Sequence, residues 1–186
     1  MANKIKYGLK NVHVAIATDD GTGTLTYATP FAIPGAVNLQ MDAQGDSTPF
    51  YADNIVYWQG NANNGYSGTL EIASIPDAFR TGILGETVDT NGVMVELSNA
   101  PTVEFALLFQ FEGDANAVRH CFYRCTCSRA AVNGATVEAS ITPQTETLNI
   151  TAMARISDNV VKSRCDETSA PTQYADWFTA VCEPDF

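Results

Sequence analysis

The segment "VEFALLFQFEGD", residues 103 to 114, decides the architecture. Between Val103 and Phe111, apolar side chains occupy odd and even positions alike. Successive side chains of an extended chain point to opposite faces, so this segment needs apolar cover on both sides. It predicts a central strand with something packed above it and something packed below. Its neighbours read differently. "TLEIASI" (69–75) alternates Leu70, Ile72 and Ser74 against Thr69, Glu71 and Ala73, and "ETLNITAMARI" (146–156) alternates Leu148, Ile150, Ala152 and Ala154 against Thr147, Asn149, Thr151 and Met153. Such alternation predicts strands with one dry face and one facing water or a wet channel. "KIKYGLKNVHVAIA" (4–17) sets Ile5, Tyr7 and Leu9 against Lys4, Lys6 and Lys10 in the same way.

Between these strands lie turn clusters, "GTGTL" (21–25) and "GNANNGYSG" (60–68), and an extended stretch in which Pro30 and Pro34 impose edge or bent positions. "GVMVEL" (92–97) and "VRHCFYRCTCSRA" (118–130) add further strand signals. Two segments break the period. "IPDAFRTGILGE" (75–86) reads as about two helical turns, opened by Pro76 or Asp77, apolar through Phe79, Ile83 and Leu84, and closed by Gly85. "TQYADWFTAVCEP" (172–184) carries Tyr174, Trp177, Phe178 and Val181 at helical spacing, with Pro184 as a stop. About eight strands and two short helices, with no repeat or linker, predict one mainly β domain of sandwich or barrel type over residues 1–186. A helix-bearing extension occupies about 163–186.

Composition narrows the function. With 45% apolar and 17% charged residues the chain builds a core, and no apolar run approaches the ~18 residues of a membrane span. The N-terminus, "MANKIKYGLKNVH", lacks the apolar stretch of a signal peptide, which predicts a protein that stays in the cytoplasm where it is made. The formal charge of −11 is unevenly spread. No Lys or Arg occurs from Asn11 to Phe79, a span holding Asp19, Asp20, Asp42, Asp46, Asp53, Glu71 and Asp77, and the tail after Arg164 is acidic again. A surface of this kind repels phosphate and does not hold nucleic acid by charge neutralisation.

Catalytic and metal signatures are thin. There are two histidines, His13 and His120, both in strand-like segments, and no GxSxG, HExxH or P-loop pattern. "ATDDGTG" (17–23) and "DTNG" (89–92) each start like a calcium loop but lack the glutamate at its twelfth position, so both read as turns. Cys121, Cys125 and Cys127 fall on one face of a regular strand, where neighbours two apart are badly placed for a disulfide, and are expected as buried thiols. No cofactor is expected, and the chain reads as a non-enzyme.

What remains is contact surface. "GDSTPFYADNIVYW" (45–58) joins Phe50–Tyr51 and Tyr57–Trp58 with two aspartates and no base. The stretch 43–54 is expected as a long loop, and exposed aromatics with a polar rim mark interfaces. Asp46, Pro49, Phe50, Tyr51, Asp53 and Asn54 are the candidate contact residues.

The ordered pieces "KYGLKNVHVAI", "AIPGAVNL", "GDSTPFYADNIVYW", "NNGYSGTLEIASIPDAFR", "ILGE", "FALLFQFEGD", "RHCFYRCTCSRA" and "ITPQTETL" resemble the major tail proteins of long-tailed bacteriophages that infect Gram-positive hosts. The resemblance runs from about residue 4 to about 155. It implies a β-sandwich or β-barrel tail-tube subunit with a flanking helix, six to a ring, rings stacked into a hollow tube. Double-stranded DNA would pass through without specific binding, other tail proteins would be partners, and the protein would reside in the virion tail after assembly in the host cytoplasm. Residues 43–54 would then be the contact that reaches the neighbouring ring, and Glu71 and Asn149 on the polar strand faces are candidates to line the lumen. Members of this family often carry an additional immunoglobulin-like domain after the tube domain, and no such domain is expected in residues 1–186. The competing reading is a β-sandwich module that binds a carbohydrate or receptor, with Trp58 and Tyr66 stacking on sugar rings.

Overall fold

The computed structural model describes residues 4–114, 117–137 and 142–185. Residues 1–3 of the N-terminal stretch and Ile141 of "ITPQTETL" lie outside the described residues. In chain order the elements are β1 (Lys4–Asp19), β2 (Leu25–Tyr27), β3 (Phe31–Ala32), β4 (Ala36–Ala43), β5 (Ser47–Ala52), β6 (Ile55–Asn61), β7 (Tyr66–Ile72), α1 (Asp77–Gly82), β8 (Thr87–Val88), β9 (Met94–Val95), β10 (Phe105–Asp114), β11 (Arg119–Cys127), β12 (Glu146–Met153), β13 (Lys162–Cys165) and α2 (Pro171–Asp176). The main sheet runs β2-β1-β10-β11-β12-β7-β4, with β3 on β1 and β13 on β11, and every pairing is antiparallel. The described strands outnumber the eight expected because prolines and bulges cut the extended stretches into short pieces.

The double-sided segment is β10, and both covers are present. Phe105, Leu107 and Phe109 face an inner core with Val12 and Val14 of β1, Leu70 and Ile72 of β7, and Leu148 and Ile150 of β12. The sheet therefore folds over on itself as a sandwich; among the described residues no pairing closes it into a barrel. Ala106 and Leu108 face a second cluster on the outside, made with Ala15, Cys121, Tyr123, Cys165 and Trp177. That outer cover is the C-terminal segment. Its apolar spacing carries on past α2, but the helix stops at Asp176, and Trp177 and Phe178 pack from turns. The Trp177 indole N–H donates to the His120 carbonyl at 3.3 Å, and His13 stacks on Phe178 at 4.7 Å. Tyr123 fastens the tail further: its hydroxyl donates to the Cys182 carbonyl at 2.7 Å and meets Ser163 Oγ at 2.7 Å. Arg155, almost fully buried, bonds Asp158 and Glu183 and lies over the Tyr123 ring. Nothing in the sequence pattern singles out this buried cation.

The short helix α1 closes one end of the inner core, with Phe79 fully buried and edge-on to Phe105 at 5.7 Å. Arg80 ties it to Glu146 at 3.0 Å and to Glu86 at 3.4 Å.

Two strand expectations need correction. Cys121, Cys125 and Cys127 do not share a face: β11 places three steps, Phe122 to Cys125, against two of β10, Leu107 to Phe105. This bulge inverts the alternation, so Cys121 joins the outer cluster while Cys125 and Cys127 join the inner one. All five cysteines are free, and burial pushes the Cys127 thiol up to about 12. Likewise Ile5 and Tyr7 are both exposed, because the pairing of β1 slips at Gly8 (φ 69) and Asn11 (φ 52), and only from Val12 onward does the strand alternate cleanly, Val12 and Val14 into the inner core and Ala15 into the outer cluster. "GVMVEL" pairs only at Met94–Val95, leaving Val93 and Leu97 exposed.

Trp177→Ala should empty the outer cover of β10 and cost about 3–5 kcal/mol. Urea unfolding at equilibrium measures it, and a loss below about 1 kcal/mol would mean that the C-terminal segment is dispensable to the sandwich.

Candidate assembly surfaces

The expected loop at 43–54 is half of a β-hairpin. Ser47–Ala52 and Ile55–Asn61 pair from Ser47↔Asn61 to Ala52↔Ile55, and Asp53 (φ 51) with Asn54 (φ 64) forms the two-residue turn. Positive φ at both central positions is the turn geometry whose twist matches paired strands, and Asp and Asn tolerate it. The signal was available as Asp-Asn between two aromatic runs. Asp46 sits at the root, where its carbonyl accepts the Ala62 N–H at 3.0 Å. Pro49, Phe50 and Tyr51 lie along β5, so the hairpin brings all six candidate contact residues together.

Among the described residues the hairpin pairs with no other strand. Phe50, Tyr51, Ile55, Val56, Tyr57 and Trp58 are all exposed, Tyr57 to 70%. A bulge between Phe50↔Trp58 and Tyr51↔Val56 leaves Tyr57 without a cross-strand partner, and the Trp58 ring lies over Gly60. The root is stiff. Gln44 donates to Gly65 at 2.9 Å and Asn64 to Gln44 at 2.9 Å. Gly45 (φ 156) and Gly65 (φ 88) pass so close to the backbone that a Cβ on either would sit 2.0 Å from the Ala62 carbonyl oxygen or 2.1 Å from that of Ala152. Side chains at these positions would displace the hairpin. So an aromatic two-stranded ribbon stands on a rigid base, presenting a kind of surface that soluble proteins reserve for contact. Tyr66, paired with Trp58 in the sugar-binding reading, lies elsewhere: it packs on the inner core, 5.1 Å from Phe122.

The second surface is the outer face of β4, β7, β12 and the end of β11. Register lines up Asn38, Glu71 and Thr147 in one row, Gln40, Thr69 and Asn149 in the next, and Asp42, Ser67, Thr151 and Thr126 in a third. Glu71 accepts from Thr145 Oγ1 at 2.6 Å, and Asp42 from Gln40 Nε2 at 2.9 Å. These ten residues are hydroxyls, amides and two carboxylates, with no cation among them. At its margin Arg124 is neutralised by Glu104 through bonds of 2.8–3.0 Å. Among the described residues no carboxylate between Asn11 and Phe79 enters an ion pair. Asp19, Asp20 and Asp89 instead cap turns through backbone N–H groups, as the two failed calcium-loop patterns imply.

A family model described as a phage tail tube protein matches residues 2–114. The chain belongs to that family. The match covers β1 to β10, and hence the hairpin and most of the polar face. No curated protein matches the chain. Membership makes this a structural component of the phage tail and virion, implies a non-catalytic role, and implies assembly with copies of itself and with other tail proteins. No helix among the described residues is long and apolar enough to cross a membrane.

The histidines have packing roles. His120 lies parallel to Phe109 at 5.2 Å and edge-on to Phe111 at 5.5 Å. Burial, helped by Lys6, Lys162 and Arg164, pulls its pKa from the usual 6.5 down to about 4. Between those values the unfolded chain holds a proton that the folded chain lacks, so stability falls as pH drops from 6.5 towards 4. His120→Phe should flatten that stretch of the stability–pH curve in urea titrations. An unchanged slope would show that this imidazole titrates alike folded and unfolded.

Proposed function

We propose that six copies of this chain form a ring, that rings stack into the hollow tail tube, and that double-stranded DNA leaves the capsid through it without specific binding. Each chain contributes residues 1–186 as one tube domain, with the segment from about 163 to 186 as its outer brace, and assembly takes place in the host cytoplasm. The observation that carries this reading is the aromatic hairpin at 47–61, exposed on a rigid root and, among the described residues, paired with no other strand. Asp46, Pro49, Phe50, Tyr51, Asp53 and Asn54 contact an adjacent subunit. Each large ring so buried contributes on the order of 1.5–3 kcal/mol before ordering costs.

The cation-free face suits the lumen. Glu71 and Asn149 sit on adjacent strands in neighbouring rows, 71 beside 147 and 149 beside 69. Carboxylates there repel phosphate, while hydroxyls and amides keep a water layer in which DNA slides. Lysines on this face would act as brakes.

Negative-stain electron microscopy with sedimentation velocity at rising concentration tests the assembly: six-fold rings or hollow filaments support it, and a small closed oligomer such as a dimer would refute it. Phe50→Asp combined with Trp58→Asp should leave a folded monomer, with native circular dichroism and no filaments. Glu71→Lys should leave tubes intact and reduce genome delivery at least several-fold in infectivity assays. Normal infectivity would remove Glu71 from the lumen.

A further inference from the structure

The sandwich is open at the end where the hairpin is rooted. There a cavity of 170 Å³ is lined by Leu39, Met41, Tyr66, Phe109, Phe111 and Phe122. A cavity of roughly 150 Å³ is enough to take up one benzene ring. The rim is basic. Lys6 Nζ lies 4.2 Å above the Phe111 ring, Lys162 Nζ lies 4.3 Å above Tyr66, and Arg164 pairs in register with His120 beside them. All three are exposed, and among the described residues none makes an ion pair, whereas Lys10, Arg80, Arg124, Arg129 and Arg155 all do. Unpaired cations around an aromatic hole call for an occupant that is aromatic and acidic.

We propose that this basic aromatic mouth is the receptor for the tip of the 47–61 hairpin of a second copy, one hairpin ring entering the cavity while Asp53 in the turn meets Lys6, Lys162 and Arg164. The inference rests on the tube reading and adds to it the surface that the hairpin meets. Complementarity is the argument: the hairpin carries aromatics and Asp53 with no cation, and the mouth carries aromatics and three cations with no carboxylate in its lining. The hairpin cannot serve its own mouth. Tyr66, at its root, is part of the lining, while six residues of strand carry the tip about 20 Å away. The glycine-pinned root prevents it from bending back. A head in one chain and a socket in the next make a head-to-tail contact, the kind that generates rings and filaments rather than closed dimers.

Tyr57, the bulged and most exposed ring, is the place for a probe. The full chain with a benzophenone amino acid at position 57 is assembled from a mixture of ¹⁵N-labelled and unlabelled copies, irradiated and mapped by mass spectrometry. Mixed-isotope crosslinks to Met41, Tyr66 or Phe122 are expected. As a second arm, Lys162→Glu with Arg164→Glu should lower the assembled fraction at least tenfold, and adding Asp53→Lys should restore it at least in part. Crosslinks to another surface of a second copy, or to the same chain's mouth, would overturn the socket while leaving the tube reading standing. So would charge reversals without effect on assembly. Absence of both rings and mixed-isotope crosslinks would sink the tube reading and the socket with it.

Discussion

A strand that is apolar on both faces cannot be half-covered, and β10 imposes that condition on the whole molecule. Its odd-numbered side chains, Phe105, Leu107 and Phe109, require the sheet to fold over, which brings β7, β12 and α1 across the inner core. Its even-numbered ones, Ala106 and Leu108, require a second layer, and the sheet has no strand left to supply it. The C-terminal segment does so, with Trp177, held by the small residues Ala15 and Ala106 at close approach and by Tyr123, Ser163 and Arg155 at its margin. The family match ends at residue 114, at the end of β10, yet the outer face of that strand is covered by residues 165 to 182. The matched portion therefore depends on the unmatched one for half of its central strand's burial.

Charge is distributed by the same logic. Among the described residues five cations are committed to ion pairs, and Arg119 is held between the Tyr174 and Phe178 rings. Among the described residues the acids between Asn11 and Phe79 enter no ion pair and occupy turn caps, the hairpin, the polar face and the first turn of α1. Surface ion pairs contribute little to stability, so segregating them costs the fold almost nothing. It leaves a face without cations and a mouth without carboxylates, two surfaces that a random scatter of the same residues would have neutralised.

How far this was legible depended on the kind of signal. Period-two patterns buried on one side are robust, since a one-residue slip exposes every apolar group; Leu70, Ile72, Leu148 and Ile150 are accordingly buried as their spacing demands. The same rule failed wherever a bulge resets the count: at Gly8 and Asn11, which turn Ile5 and Tyr7 outward, and between Phe122 and Cys125, which splits the cysteines. Bulges leave almost no mark in a sequence. The helix at α1 had start and stop residues close together and was readable; α2 had helical spacing and only a distant stop, Pro184, and ended early, at Asp176. The candidate contact residues stood out as composition, aromatic and acidic without base, but their hairpin geometry was hard to read because Asp-Asn is a weaker turn mark than Asn-Gly. The mouth was not readable, since Lys6, Tyr66, Phe111 and Lys162 converge only when the sheet folds.

The hairpin's conformation also bears on when such a surface forms. An isolated two-stranded ribbon is marginal in water, and this one buries little of its own apolar area. Its order comes from the root, where Gly45 and Gly65 admit the backbone crossings and Gln44 is bonded on both sides. The ribbon is thus set in place before any partner arrives, and an association that uses it is spared much of the ordering cost that weakens flexible contacts. Subunits of formal charge −11 repel one another at long range, a force screened beyond about 8–10 Å in physiological salt. Attraction between aromatic surfaces acts only at contact. Charge repulsion and aromatic adhesion therefore act over different ranges of the same surface, the first opposing approach and the second favouring only a seated contact.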